Sequence, residues 1–267
     1  MPVRLGIIAG KGKFPLLIAE EARKRGYTTL VVAHTGLTSG EIEGIADRVH
    51  WIKIGEMNRL IKILQEEGVT EAVMAGGVSK RFMFQDVEPD SRALSLLFRI
   101  EDRKDDTILR AVAEELEREG ISIHGATEYV QSILADRGVL TKTGPGDEEW
   151  RDIEFGMEMA RNIGRLDIGQ CVVVKDRAVL AVEAIEGTDE AILRGGRLAG
   201  SGAVVAKCCK PGQDIRFDLP TVGPGTIDAM RGVSARVLAI EAGMTIMIDR
   251  ESMIESANRA GISIVGI

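Results

Sequence analysis

Three times in the first half of the chain, a helical run of charged residues alternating with Ala and Leu ends at a glycine that opens directly into a β-branched strand. The copies are Glu20 to Arg25, Gly26, then Tyr27 to Ala33; Leu60 to Glu67, Gly68, then Val69 to Ala75; and Thr107 to Glu119, Gly120, then Ile121 to His124. Each glycine stands where a helix closes on a left-handed residue, which only glycine adopts cheaply. Each copy is therefore an α-to-β connection. The strands Leu5 to Ala9, Leu30 to Ala33 and Ala72 to Ala75 are short apolar runs, as expected where helices cover both faces of a sheet. A doubly wound parallel sheet satisfies the repeat.

At 267 residues the chain exceeds what one core ordinarily organises, roughly 250 residues. The texture changes after Gly138, where Thr141-Lys142-Thr143-Gly144-Pro145-Gly146-Asp147 reads as a linker or its exit. Beyond it, Gln170 to Val174, a Lys175-Asp176-Arg177 turn and Ala178 to Ile185 spell a β-hairpin. A helix from Asp189 to Leu198, a strand from Ala203 to Lys207 and a long loop from Lys210 to Thr226 follow. Strands Val237 to Ile240 and Met244 to Ile248, a helix from Arg250 to Ala260, and Gly261 into Ile262-Ser263-Ile264 close the chain. The expected fold class is α/β: a Rossmann-like parallel-sheet domain over 1–137, then a mixed-sheet α/β domain over 138–267.

Composition narrows the function. A net charge of −7 repels phosphodiester backbones, so nucleic acid is not an expected partner. The start Met1-Pro2-Val3-Arg4-Leu5 runs straight into a strand-like segment and no apolar run approaches 18 residues, so neither a signal peptide nor a transmembrane span is expected. Three cysteines, two of them adjacent, make neither a disulfide framework nor a zinc site, which points to a reducing cytoplasm.

Chemistry could sit in three places. The loop Gly10-Lys11-Gly12-Lys13-Phe14-Pro15 joins the first strand to the first helix, and glycines before a helix N-terminus suit an anion. It lacks the dinucleotide fingerprint, because Pro15 holds the third glycine's position and the second strand ends in Ala33-His34-Thr35 with no acidic ribose ligand. Gly76-Gly77 adds a second open loop at the same sheet edge, where such folds bind ligands. Asp105-Asp106-Thr107 reads either as a solvated helix start or as a carboxylate pair for a divalent cation or for substrate hydroxyls.

The third place is the span from Arg194 to Arg216, where five basic residues (Arg194, Arg197, Lys207, Lys210, Arg216) stand against Asp214 alone. A cationic stretch in an acidic protein suggests a specific anion. If Gln213 to Pro220 is extended, Asp214, Arg216 and Asp218 share one face, with Ile215 and Phe217 on the other. Carboxylates around a guanidinium resemble a site for a metal-bound diphosphate, although a surface ion-pair ladder has the same pattern. His34, His50 and His124 are scattered and read as structural, Cys208 and Cys209 as packing groups. Lys80-Arg81-Phe82-Met83-Phe84 reads as core or as contact with an acyl chain or membrane.

Over nearly its full length the sequence resembles the UDP-2,3-diacylglucosamine pyrophosphatases of lipid A biosynthesis, the LpxI type. The residues that carry the resemblance are Leu5 to Gly10 with Gly12 and Pro15, Asp105-Asp106, Leu166 to Gln170, Val182 to Asp189, and Lys207 through Pro220 with Thr221-Val222-Gly223. The resemblance implies Mg²⁺-dependent hydrolysis of the substrate to UMP and 2,3-diacylglucosamine 1-phosphate, with Asp218 essential.

The expected roles follow. Asp218 binds Mg²⁺ or orients the attacking water, assisted by Asp214, while Lys207, Lys210 and Arg216 neutralise the diphosphate. Gly10, Lys11, Gly12, Gly76, Gly77, Gln213 and Thr188 complete the substrate contacts, and Glu183 and Glu186 are second candidates. A dinucleotide-dependent oxidoreductase and a non-catalytic nucleotide-sugar binding protein stand as alternatives. A lipidic nucleotide-sugar substrate implies a cytoplasmic protein in transient contact with the inner-membrane surface on its cytoplasmic face; monomer and homodimer are both compatible with the sequence.

Overall fold

The α-to-β repeat builds a five-stranded sheet of order β3-β2-β1-β4-β5, parallel throughout. Its strands are β1 (Arg4–Ala9), β2 (Thr28–His34), β3 (Arg48–Ile52), β4 (Glu71–Ala75) and β5 (Ser122–His124). The helices between them are α1 (Phe14–Lys24), α2 (Met57–Glu66), α3 (Ser91–Arg99) and α4 (Asp105–Arg118). The computed structural model describes residues 4–77, 89–100, 105–212, 214–217 and 219–267. The central strands β1, β2 and β4 are buried nearly end to end, as a sheet covered on both faces requires. The expected third strand is in fact the fourth. Arg48–Ile52 escaped the reading because it is an edge strand, Arg-Val-His-Trp-Ile, with only Ile52 buried.

The second half forms a six-stranded mixed sheet, β6-β13-β11-β9-β7-β8, and a small parallel pair of β10 (Thr221–Val222) and β12 (Ile246–Met247). Strands β9 (Val204–Lys207), β11 (Val237–Ile240) and β13 (Ser263–Gly266) are parallel. Strand β6 (Gly138–Val139) and the hairpin of β7 (Cys171–Lys175) and β8 (Ala178–Val182) are antiparallel to their neighbours. The expected hairpin is present. Asp176 and Arg177 both take positive φ, as its two-residue turn demands, and the Asp152 carboxylate accepts both of their N–H groups at 2.9 and 2.7 Å.

Two helices here lie where none was read. Asp147–Arg165 (α5) packs Ile153, Met157 and Ala160 on the sheet with Val172, Val174 and Ala206. Pro224–Gly232 (α7) starts at Pro224-Gly225, which the sequence presents as loop punctuation but which here serves as a first helical turn. The helices Thr188–Ala199 (α6) and Arg250–Ala260 (α8) match expectation. Gly195 lets α6 lie close on β7, since a Cβ there would sit 2.5 Å from Val173 Cβ.

The chain divides into two compact units, one of Met1–Gln131 with Asp214–Asp218, the other of Ser132–Gln213 with Leu219–Ile267. The excursion rests on Phe217, 8% exposed, which joins the first unit's core with Leu30, Leu64, Leu116 and Ile123.

Candidate active site

In the second unit the expected substrate contacts Lys207 and Thr188 meet the second candidate Glu183 where β9 ends and α6 begins. Lys207, the last residue of β9, is only 5% exposed, and its Nζ donates to Thr188 Oγ1 at 3.0 Å and to the Thr221 carbonyl at 2.8 Å. Thr188 opens α6 and donates in turn to Glu183 Oε1 at 2.8 Å. Glu183, also buried, accepts the Gln170 N–H at 3.3 Å through its other oxygen. A buried ammonium thus sits at a helix N-terminus and shares a hydroxyl with a buried carboxylate. The ammonium and the helix N-terminus are both positive, and the neighbouring Glu183 keeps the cation from being buried uncompensated. The Gln170 Oε1 atom is buried with no partner among the described residues. Two thiols flank this strand, and burial pushes Cys171 and Cys208 up to about 12. Neither is a nucleophile at neutral pH.

Several basic residues of the span are held by carboxylates or lie in different units. Arg194 donates to Glu186, Lys210 Nζ to Asp167 at 2.8 Å, and Arg216 belongs to the first unit. Counting charge along the span overlooked partners lying outside it: Glu186, Asp167 and Glu117.

Arg216 is the most tightly held of the five. Its Nε and Nη2 donate to the two oxygens of Asp214 at 3.0 and 2.8 Å, and its Nη1 donates to Glu117 Oε1, on α4, at 2.9 Å. The guanidinium also lies 4.9 Å from the Phe217 ring centroid. This fork holds the Asp214 carboxyl below the usual aspartate range and raises the guanidinium further. Asp214 and Arg216 were expected to meet a metal and a phosphate; in the structure they meet each other. The arrangement is a clasp that fastens the segment to the first unit. Nothing in the sequence announces Glu117, which lies 99 residues from Arg216. Gln213 and Asp218 lie outside the described residues, as do Lys80 to Phe84 and the side chains of Asp105 and Asp106.

In the first unit, the Gly10 and Gly76 loops leave the carboxyl ends of β1 and β4 and are bonded together. Lys11 N donates to Gly77 O at 2.8 Å and Gly77 N to Lys11 O at 3.1 Å. A Cβ at Gly10 would sit 2.7 Å from Gly77 O, and one at Gly76 2.6 Å from Lys11 O, so both glycines are required by backbone contact. Gly12 and Gly77 face open space. The N-terminus of α1 has no side-chain cap and Lys11 is exposed beside it. An anion could be received there.

Among the described residues no three His, Cys, Asp or Glu side chains are grouped to hold a metal ion, and both oxygens of Asp214 are taken by Arg216. The described residues do not form a ready-made metal cage.

The fold is that of a two-unit α/β protein, a parallel sheet in the first unit and a mixed sheet in the second. Its N-terminal part, residues 4–133, matches the model of the LpxI N-terminal domain, and residues 136–265 match that of the LpxI C-terminal domain. The chain belongs to the LpxI family. It is 37% identical over 277 residues to the UDP-2,3-diacylglucosamine pyrophosphatase LpxI of Caulobacter vibrioides, covering 99% of this chain and 97% of that one. Among solved structures it is similar to the biotin carboxylase domain of a thermophilic 2-oxoglutarate carboxylase bound to ADP (12% identity, TM-score 0.30) and to phosphoribosylglycinamide synthetase from Anaerococcus prevotii (11%, 0.29). These cover 65% and 70% of this chain, which spans only 35% and 40% of theirs. At such scores neither bears on this chain's function.

Proposed function

We propose that this protein hydrolyses the diphosphate of UDP-2,3-diacylglucosamine to UMP and 2,3-diacylglucosamine 1-phosphate, in lipid A biosynthesis. The observation that carries the reading is the end-to-end similarity to a pyrophosphatase of that name, 37% identical over 99% of the chain. The buried Lys207 and the N-terminus of α6 supply positive charge where a diphosphate oxygen can be stabilised, which is the main demand of phosphoryl transfer. Thr188 relays between Lys207 and Glu183, and so fixes the ammonium's direction. Asp218 orients the attacking water, and the Arg216 clasp holds the segment that precedes it. Mg²⁺, when bound with the substrate, would supply charge neutralisation on the phosphate oxygens, and such ions commonly use one or two carboxylates with substrate phosphates completing the shell.

Release of UMP from UDP-2,3-diacylglucosamine by the purified protein, with and without chelator, tests the reading. Substrate binding without UMP would favour a nucleotide-sugar binding protein, and reduction of NAD an oxidoreductase. Lys207→Met keeps the buried stem and removes the charge. It is expected to lower kcat by about 100-fold and, because Glu183 is left buried without its cation, to lower the melting temperature as well; full activity in the folded variant would remove Lys207 from the reaction.

A diacylated substrate brings the protein to a membrane surface, and no helix among the described residues is long and apolar enough to cross one. Helix α3 supports a surface contact: Phe98 is 86% exposed beside the part-exposed Leu94 and Leu97. Phe98→Asp is expected to reduce pelleting with vesicles of phosphatidylethanolamine and phosphatidylglycerol while leaving hydrolysis of detergent-dispersed substrate intact. Unchanged pelleting would reject this contact.

A further inference from the structure

The carboxyl end of β2, one strand from the β1/β4 crevice, carries a side chain that the proposed reaction leaves unused. His34 Nδ1 lies 2.9 Å from the Ala9 carbonyl oxygen, and Thr38 Oγ1 donates to the same oxygen at 2.6 Å. Thr38 Oγ1 also accepts the His34 backbone N–H at 3.0 Å. A carbonyl can only accept, so Nδ1 carries the proton. The other nitrogen, Nε2, is then either an acceptor or the second donor of a cation. Nε2 has no hydrogen-bond partner among the described residues. Burial holds the imidazole below its ordinary value, which leaves the ring neutral at pH 7.

The position matters as much as the tautomer. In open parallel sheets of order 3-2-1-4-5, a ligand lies across the carboxyl ends at the switch point. A nucleotide's phosphates then sit on the first loop, and its ribose hydroxyls donate to an acceptor at the end of the second strand. Here that loop is Gly10 to Pro15, and the acceptor position, where a carboxylate is usual, is occupied by His34. A neutral imidazole fixed in this tautomer offers what the carboxylate would, one acceptor at a set direction, without adding negative charge beside a diphosphate.

We infer that His34 Nε2 accepts a hydrogen bond from a ribose hydroxyl of the uridine nucleotide, making His34 a binding residue of the first unit. The inference rests on the hydrolase reading for the identity of the nucleotide. It is tested on the full-length protein by titrating UMP and 2′,3′-dideoxy-UMP into the wild type and two variants. His34→Asn retains a donor where Nδ1 stands and lacks the distal acceptor; His34→Gln places an amide oxygen near Nε2.

The wild type should bind UMP about tenfold more tightly than the dideoxy compound, the value of one hydrogen bond. His34→Asn should bind both equally and weakly, with an unchanged melting temperature, and His34→Gln should recover part of the preference. A loss of packing alone would weaken both ligands and preserve the ratio. An undiminished ratio in His34→Asn, or none in the wild type, overturns the inference. Failure of the hydrolase reading registers elsewhere, as absence of UMP release by a wild type that still distinguishes the two nucleotides.

Discussion

Asp218→Asn is expected to abolish turnover, with UMP release falling by about 1,000-fold and the thermal unfolding midpoint unchanged. Asparagine keeps the shape of the side chain and loses the charge that would orient the attacking water. The neighbours on either side, Phe217 and Leu219, are 8% and 7% exposed and are untouched by the change. The chain's hold on this stretch is therefore preserved, and a loss of rate reports on the carboxylate itself. Activity near that of the wild type would take Asp218 out of the chemistry, and a lowered midpoint would make its role structural. KM should move little, because a group that acts on the water contributes mainly in the transition state.

The second large effect is expected at the clasp. Arg216→Ala leaves Asp214 and Glu117 facing each other's charge with no cation between them, and it removes hydrogen bonds to both. Hydrogen bonds to charged groups are worth roughly 1.5–3 kcal/mol each when well formed. Arg216 is about one-third exposed, so solvent screening reduces the loss to about 1–2 kcal/mol overall. The effect on rate should be larger, about 100-fold, because the segment leading into Asp218, the proposed catalytic residue, loses its fastening. Arg216→Lys should not restore it, since an ammonium cannot span two carboxylates in a fork. Exchanging the charges, Glu117→Arg with Arg216→Glu, should recover part of what Glu117→Arg alone destroys; no recovery would mean that the two act independently.

The pH dependence has a defined sign. The Arg216 fork lowers the Asp214 carboxyl in the folded protein, so the unfolded chain binds the proton more readily. Stability from this pair is complete above the ordinary aspartate value of 3.8 and is lost as pH falls through the depressed folded value. Wild type and Arg216→Ala should therefore differ by a constant amount in denaturant midpoint from pH 8 down to pH 5. They should converge only in stronger acid. A gap that closes between pH 7 and pH 6 would assign the coupling to another group.

The first unit was legible because its helix-Gly-strand repeat is local: each glycine and each apolar run announces its own element. What escaped is what local pattern cannot carry. The edge strand Arg48–Ile52 buries only its last residue, and Pro224-Gly225 marks a helix start as readily as a loop. The site was legible in part. Lys207 and Thr188 stand in distinctive stretches, and their contact at 3.0 Å brings together two residues already picked out. The charge of the Arg194 to Arg216 span was visible, but its use was not, because Glu186, Asp167 and Glu117 neutralise it from elsewhere in the chain. The return of Phe217 to the first unit's core is a long-range contact that no periodicity records.

Cleavage of the diphosphate of a diacylated UDP-sugar by this chain is checked by incubating the purified full-length protein with UDP-2,3-diacylglucosamine and Mg²⁺ and measuring both products over time. UMP and 2,3-diacylglucosamine 1-phosphate should form in equal amounts with the wild type and be absent with Asp218→Asn. Intact substrate recovered from a wild type that binds it, or products formed equally by both proteins, would contradict this expectation.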